Sequence, residues 1–258
     1  MMKLHSLLLF LTLIAVGAGL VSAQTAQPVT WYVVDGLFFE GMPPTVDYGK
    51  AARVYIHKDE EGHEAIELRL RPGFSLTEEV KSYATPSDSV PGYEALQMSI
   101  RGGEGKRLPV SVVETLKPAD WIGKPFPDFC VKDTTGREWT RADIEGRPLV
   151  LNFWYTGCGP CLREMPVLAS WMVKYPQALY LATTFDPVRS ISKLVQRRGF
   201  SFVHIADEMF FFKLFKVSGM PVTILTDRQG IIRCVEQGSS PVKLRYLEDR
   251  LAELCTCK

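Results

Sequence analysis

Asn152-Phe153-Trp154-Tyr155-Thr156-Gly157-Cys158-Gly159-Pro160-Cys161 is the stretch whose reading decides the rest of the chain. It overlaps a near-continuous apolar run, 149–155, of the kind expected of a strand buried on both faces. A helix is predicted to follow, from about Gly159 to residue 174. The two cysteines therefore sit where a buried strand hands over to a helix. Cys158 falls at the helix N-terminus, where unpaired backbone N–H groups and the helix dipole favour an anion. Its thiolate should be stabilised there. Cys161 lies about one turn further in, less exposed and close enough to close a disulfide. Pro160 suits the first helical turn, because its missing N–H is not needed there.

The chemistry follows from that placement. A Cys158 thiolate attacks a partner disulfide to give a mixed disulfide. Cys161 then resolves it, leaving a Cys158–Cys161 bond and a reduced partner. Run in reverse, the same pair donates a disulfide. No cofactor is expected beyond this redox disulfide. Two other readings compete: a zinc site joining Cys158 and Cys161 to Cys255 and Cys257, and an inert structural disulfide. The strand–turn–helix context and the Gly159-Pro160 spacer suit redox work better.

Outward from the dithiol, residues 119–258 alternate strands and helices. A hairpin is predicted over 128–139, strands over 180–184 and 202–205, helices over 188–198 and 208–215, a hairpin over 222–235, and a closing helix over 241–254 capped by Ser240. That order implies an α/β fold: a mixed sheet covered by helices on both faces. Residues 24–118 read as a small, mostly antiparallel β-rich domain. Its predicted strands are 31–34, 53–56, 65–70, 96–100 and 110–113, with one short helix over 75–83 capped by Ser75. It carries no catalytic motif.

Residues from about 124 to 258 resemble the thioredoxin superfamily, and most closely the exported TlpA/ResA-type thiol–disulfide oxidoreductases. The likeness is carried by Gly123-Lys124-Pro125-Phe126-Pro127-Asp128-Phe129, Leu151-Asn152-Phe153-Trp154, the Cys158–Cys161 motif, Glu164-Met165-Pro166 and Gly219-Met220-Pro221-Val222-Thr223. The resemblance implies a thioredoxin-like fold and catalysis by Cys158 and Cys161, supported by Gly159 and Pro160. It implies that Pro221 is a cis-proline facing the dithiol, with the backbone of Met220 pairing with substrate. Glu164 matches an acidic residue near the active site that could relay protons to Cys161. Asn152 stands where thioredoxin carries a buried acid, so proton relay from the Asn152 position is not available. Trp154 is expected to shield the dithiol and meet substrate. Thioredoxins usually place Trp before the first cysteine. This chain has Gly157, which should open the surface around Cys158.

In that family's sheet Cys130 and Cys234 lie at opposite edges. Cys130 is therefore expected to be a buried free thiol, and Cys234 to pair with Cys255 or Cys257. His57, His63 and His204 lack ligand-like spacing, so no metal is expected. Phe210, Phe211, Phe212 and Phe215 are expected to pack under the sheet.

The N-terminus speaks to destination. Met1-Met2-Lys3 precedes an apolar run over 7–20, short for a bilayer span of roughly 20 residues. Val21-Ser22-Ala23 then offers a cleavage site. Residues 1–23 read as a signal peptide, and the protein as exported, periplasmic or otherwise extracytoplasmic. With no cysteine at the cleavage point, it is not read as a lipoprotein. Lys plus Arg number 30 and Asp plus Glu 29, which argues against a nucleic-acid partner. The expected partners are protein dithiols and disulfides, with a membrane thiol-electron carrier as reductant. The rival readings are a partner- or glycan-binding protein using the fold as scaffold, and a thiol peroxidase. The peroxiredoxin pattern Pro-x-x-x-Thr-x-x-Cys is missing around Cys158.

Overall fold

The computed structural model describes residues 30–108 and 116–256. The signal-peptide reading, the strand predicted over 110–113 and Cys257 lie outside the described residues.

The chain opens with Trp31–Val34 (β1), Leu37–Glu40 (β2), Ala51–Lys58 (β3) and Glu64–Leu70 (β4). Glu78–Lys81 (α1), Tyr93–Gly102 (α2) and Lys106–Leu108 (β5) follow. The strands form one five-stranded sheet in the order β2-β1-β4-β3-β5. Neighbours are antiparallel except β1 and β4.

Two expectations for this region are corrected. The 96–100 segment lies inside α2, not in a strand. Leu96, Met98 and Ile100 do alternate, but Leu96 and Ile100 are also one helical turn apart and pack inward, while Met98 is 73% exposed. Left-handed glycines, Gly92 and Gly103, bound the helix and set its length. The predicted helix over 75–83 shrinks to α1. Its cap is Thr77, whose hydroxyl accepts from the Val80 N–H at 3.2 Å, and not Ser75.

The second half begins with Cys130–Lys132 (β6), Glu138–Thr140 (β7) and Arg141–Ile144 (α3). Leu149–Phe153 (β8), Gly159–Lys174 (α4), Leu179–Thr183 (β9), Val188–Arg198 (α5) and Val203–Ile205 (β10) come next. Phe210–Phe215 (α6), Val222–Thr226 (β11), Ile232–Gln237 (β12) and Pro241–Thr256 (α7) complete it. The second sheet runs β10-β9-β8-β11-β12. β8 is parallel to β9 and antiparallel to β11. This mixed sheet flanked by helices is the fold class the sequence implies.

Strand β8 is the centre, and side-chain alternation divides the core around it. Leu149, Leu151 and Phe153 point into a cluster with Phe126, Trp139, Phe211, Phe212 and Phe215. Phe210 departs from its predicted burial and is 37% exposed. Val150 and Trp154 point to the opposite face, with Cys158, Cys161, Met165, Leu168 and Trp171 of α4 and Leu247 and Leu251 of α7. The first sheet rests on that second face. Val242 of α7 packs with Val34, Phe39 and Val46, and Tyr83 donates to Asp249 at 2.5 Å.

The cysteine expectations also change. In β6 the inward position is Val131, so Cys130 points outward and is exposed. Cys234 and Cys255 are both free thiols buried in the α4–α7 cluster. Burial raises the Cys234 thiol well above its ordinary range, so it packs as a neutral apolar group.

Candidate active site

The site is built at the end of β8. After Trp154 the chain turns through Tyr155, Thr156 and Gly157. Asp186 accepts the Thr156 N–H at 2.6 Å, and the Tyr155 carbonyl accepts the Cys158 N–H at 3.1 Å. Cys158 is the N-cap of α4, and its sulfur accepts from the Cys161 N–H at 3.2 Å. Cys158 and Cys161 are joined by a disulfide with a Cα–Cα distance of 5.2 Å. On reduction, the Cys158 sulfur is left against an unpaired helix end, the setting that favours a thiolate.

Gly157 and the Gly159-Pro160 pair are exposed, yet Cys158 itself is only 3% exposed. The open surface expected from Gly157 is therefore not found. A Cβ at Gly157 would lie 2.9 Å from the Tyr155 ring, so the glycine leaves room for that ring instead. Tyr155 stacks on Phe185 at 5.6 Å and 24° and packs against the cluster holding both sulfurs. Tyr155 and Phe185 were not singled out in the sequence. Met220, half-buried, packs against the cores on both sides of the sheet.

Strand β11 brings in the other wall. Val222 pairs with Phe153, so the two residues before it run level with the start of the dithiol loop. The Met220–Pro221 peptide bond is cis, as the resemblance implies. The Pro221 carbonyl accepts from Gly238 N–H at 2.8 Å.

Beneath the disulfide lies a polar group enclosed in the core. Asn152 donates to Glu164 at 2.9 Å and to Thr223 at 3.1 Å. Glu164 follows Cys161 by one helical turn and is 3% exposed. Burial pushes its carboxyl up to about 7, against the pull of the nearby Ser239 hydroxyl and the Asn152 hydrogen bond. Asn152, a neutral amide, thus holds the Glu164 carboxyl in place. Thr223 ends the Gly219–Thr223 motif but is given no role by the sequence, and Ser239 comes near the site only through the tertiary fold. Trp154 is fully buried, edge-on to Phe200 and His204, in the same cluster as both sulfurs.

A dithiol capping a helix, a cis-proline beside it and a mixed sheet beneath define a thioredoxin-fold thiol–disulfide oxidoreductase. Comparison with known proteins agrees. Residues 122–235 match the AhpC/TSA family. The chain is 30% identical over 129 residues to the thiol-disulfide oxidoreductase ResA of Geobacillus thermodenitrificans, spanning 48% of this chain and 74% of that one. It is 28% identical over 126 residues to the thioredoxin-like protein YneN of Bacillus subtilis, spanning 47% and 74%. The solution structure of a candidate protein disulfide isomerase from Bacteroides thetaiotaomicron shares the fold, with TM-score 0.50 and 21% identity over 55% of this chain and 95% of that one. The chain belongs to the ResA-like thiol–disulfide oxidoreductases of the thioredoxin-like AhpC/TSA family.

Proposed function

We propose that this oxidoreductase works as a reductase of disulfides in exported proteins, with Cys158 attacking, Cys161 resolving and Glu164 handling the proton. In the reduced enzyme the Cys158 thiolate attacks one sulfur of a substrate disulfide. The other substrate sulfur leaves as a thiolate and takes up a proton. Glu164, ionised, accepts the proton of Cys161, whose sulfur then attacks the Cys158 sulfur, breaks its bond to substrate and expels the second substrate sulfur as a thiolate, which takes up a proton from Glu164 or water. Two electrons pass from the enzyme dithiol to the substrate, and the Cys158–Cys161 disulfide forms.

The observation that carries this reading is a carboxyl poised near neutrality, enclosed on the same helix one turn from a buried resolving thiol. The backbone of Met220, beside the dithiol, is proposed to pair with an extended substrate segment. The apolar run over 7–20 followed by Val21-Ser22-Ala23, read as a leader, supports action outside the cytoplasm, and a membrane thiol-electron carrier would restore the dithiol.

Insulin reduction by the full mature chain tests the assignment. Cys158→Ser is expected to abolish turnover, and Cys161→Ser to accumulate a mixed disulfide on Cys158. Full activity of Cys158→Ser would sink the proposal. Glu164→Gln is expected to keep the first attack and slow resolution by about 100-fold, read by single-turnover quenched flow.

A further inference from the structure

The loop over residues 155–157 leaves β8 and must deliver Cys158 to the end of α4. Two of its residues are gripped by one short connection, 184–187, between β9 and α5. The Thr156 N–H donates to the Asp186 carboxylate at 2.6 Å, and the Tyr155 ring stacks on Phe185 at 5.6 Å. The connection is itself fixed. The Thr184 N–H donates to the Ile205 carbonyl at 2.9 Å, and the Asp186 N–H donates to the Thr184 hydroxyl at 3.1 Å. The Asp186 carbonyl accepts from the Asp207 N–H at 2.9 Å, and Phe185 packs against Phe212 of α6 at 5.6 Å. Pro187 restricts the backbone of Asp186 and serves as the N-cap of α5. The dithiol loop therefore hangs on a support built from β9, β10 and α6.

A backbone N–H bonds a carboxylate more strongly than a neutral acceptor. The same charge has a cost here, because a negative group held at Thr156, two residues before Cys158, opposes a thiolate. The charge of Asp186 thus works against the reactive sulfur, and only its hydrogen bond can help it. We propose that Asp186 is a positioning residue for the redox site: its hold on the Thr156 N–H keeps the Cys158 sulfur at the end of α4, over the Cys161 N–H, where the thiolate is stabilised. This deepens the reading of Cys158 as the attacking thiol, and rests on it.

The other titratable or charged groups near Cys158 are Cys161, Arg163 and Glu164 on its own helix and Tyr155 ahead of it. The apolar cluster around the sulfurs also holds Tyr180, Tyr246, Cys234 and Cys255, all pushed up by burial and so neutral. His204, beyond Trp154, is pushed down by burial and is neutral too. β11 presents the uncharged Met220 and Pro221. Substitutions at Asp186 leave all of these in place, so a shift in the Cys158 midpoint reads Asp186 itself.

The test is alkylation of Cys158 by iodoacetamide in the reduced full mature chain, followed against pH and read by peptide mass so that the exposed Cys130 is counted separately. Asp186→Asn and Asp186→Ala both lose the charge, and only the asparagine keeps an acceptor. Asp186→Ala is expected to titrate about one pH unit above Asp186→Asn. Asp186→Glu keeps the charge but moves the acceptor by one methylene, and is expected to titrate above the wild type. Equal midpoints in Asp186→Ala and Asp186→Asn overturn the proposal. Should Asp186→Ala fail to fold, equal midpoints in Asp186→Glu and the wild type overturn it. Alkylation needs no substrate. Insulin reduction by Cys158→Ser therefore decides the proposed function, and these midpoints separately decide the role of Asp186.

Discussion

A carboxyl enclosed by protein loses the water that would solvate its charge, and Glu164 carries the consequence. Its midpoint rises from 4.5 to about 7 because burial outweighs the pull of Ser239 and Asn152. Between those values the folded chain binds a proton that the unfolded chain has released. Stability linked to this group is therefore full below about pH 4.5, falls as pH rises, and levels off above about 7. The span corresponds to about 3 kcal/mol. Urea unfolding of the oxidised protein at pH 5 and pH 8 is expected to show that loss in the wild type and not in Glu164→Gln. Equal pH dependence in the two proteins would mean that the carboxyl is not held neutral. The sequence places Glu164 near the dithiol only through a resemblance. The chemistry of Cys158 and Cys161 was legible directly, because it depends on a local strand-to-helix step. Ser239 and Tyr155 were not legible, because they come to the site through packing.

Elements whose ends carry their own signals were read closely. The helix at the dithiol, α5 ended by Gly199, and β11 after Pro221 agree with the reading to within a residue or so. α2 failed because three apolar residues at alternating positions fit both periods, and only packing separates them. The loop between β8 and α4 was read for its cysteines but not for its ring. A glycine before Cys158 suggests exposure until the Tyr155 side chain is placed in the space it leaves. Gly157→Ala should push that ring off Phe185 and uncover the disulfide. Reduction by dithiothreitol, followed by stopped-flow tryptophan fluorescence, is expected to speed up several-fold. An unchanged rate would mean that Tyr155 does not screen Cys158.

At the scale of the whole molecule, the two halves meet through hydrogen bonds as well as apolar contact, and one of those bonds ends on a buried ion pair of the second half. Lys243 and Glu236 are 2% and 3% exposed and face each other at 3.1 Å. Glu236 also accepts the Thr45 N–H, and the Lys243 ammonium also donates to the Gln237 carbonyl at 2.5 Å. Such a pair gains little over an apolar substitute, since desolvation offsets its attraction, but breaking one half leaves a buried charge unmatched. Lys243→Met is therefore expected to cost about 3–5 kcal/mol, and Glu236→Gln combined with Lys243→Met to recover much of it. Because the pair lies where the 41–45 turn meets β12 and α7, the loss should appear as a separation of the unfolding transition into two steps. Circular dichroism and tryptophan fluorescence, followed together through a urea titration, distinguish the outcomes. Coincident transitions in Lys243→Met would show that the other contacts between the halves, Val242 packing and the Tyr83–Asp249 and Ser240–Met42 hydrogen bonds, couple them without the ion pair. Divergent transitions in Lys243→Met that coincide again in the double variant would assign the separation to the unmatched Glu236 charge, and divergence in both variants would assign the coupling to the ion pair.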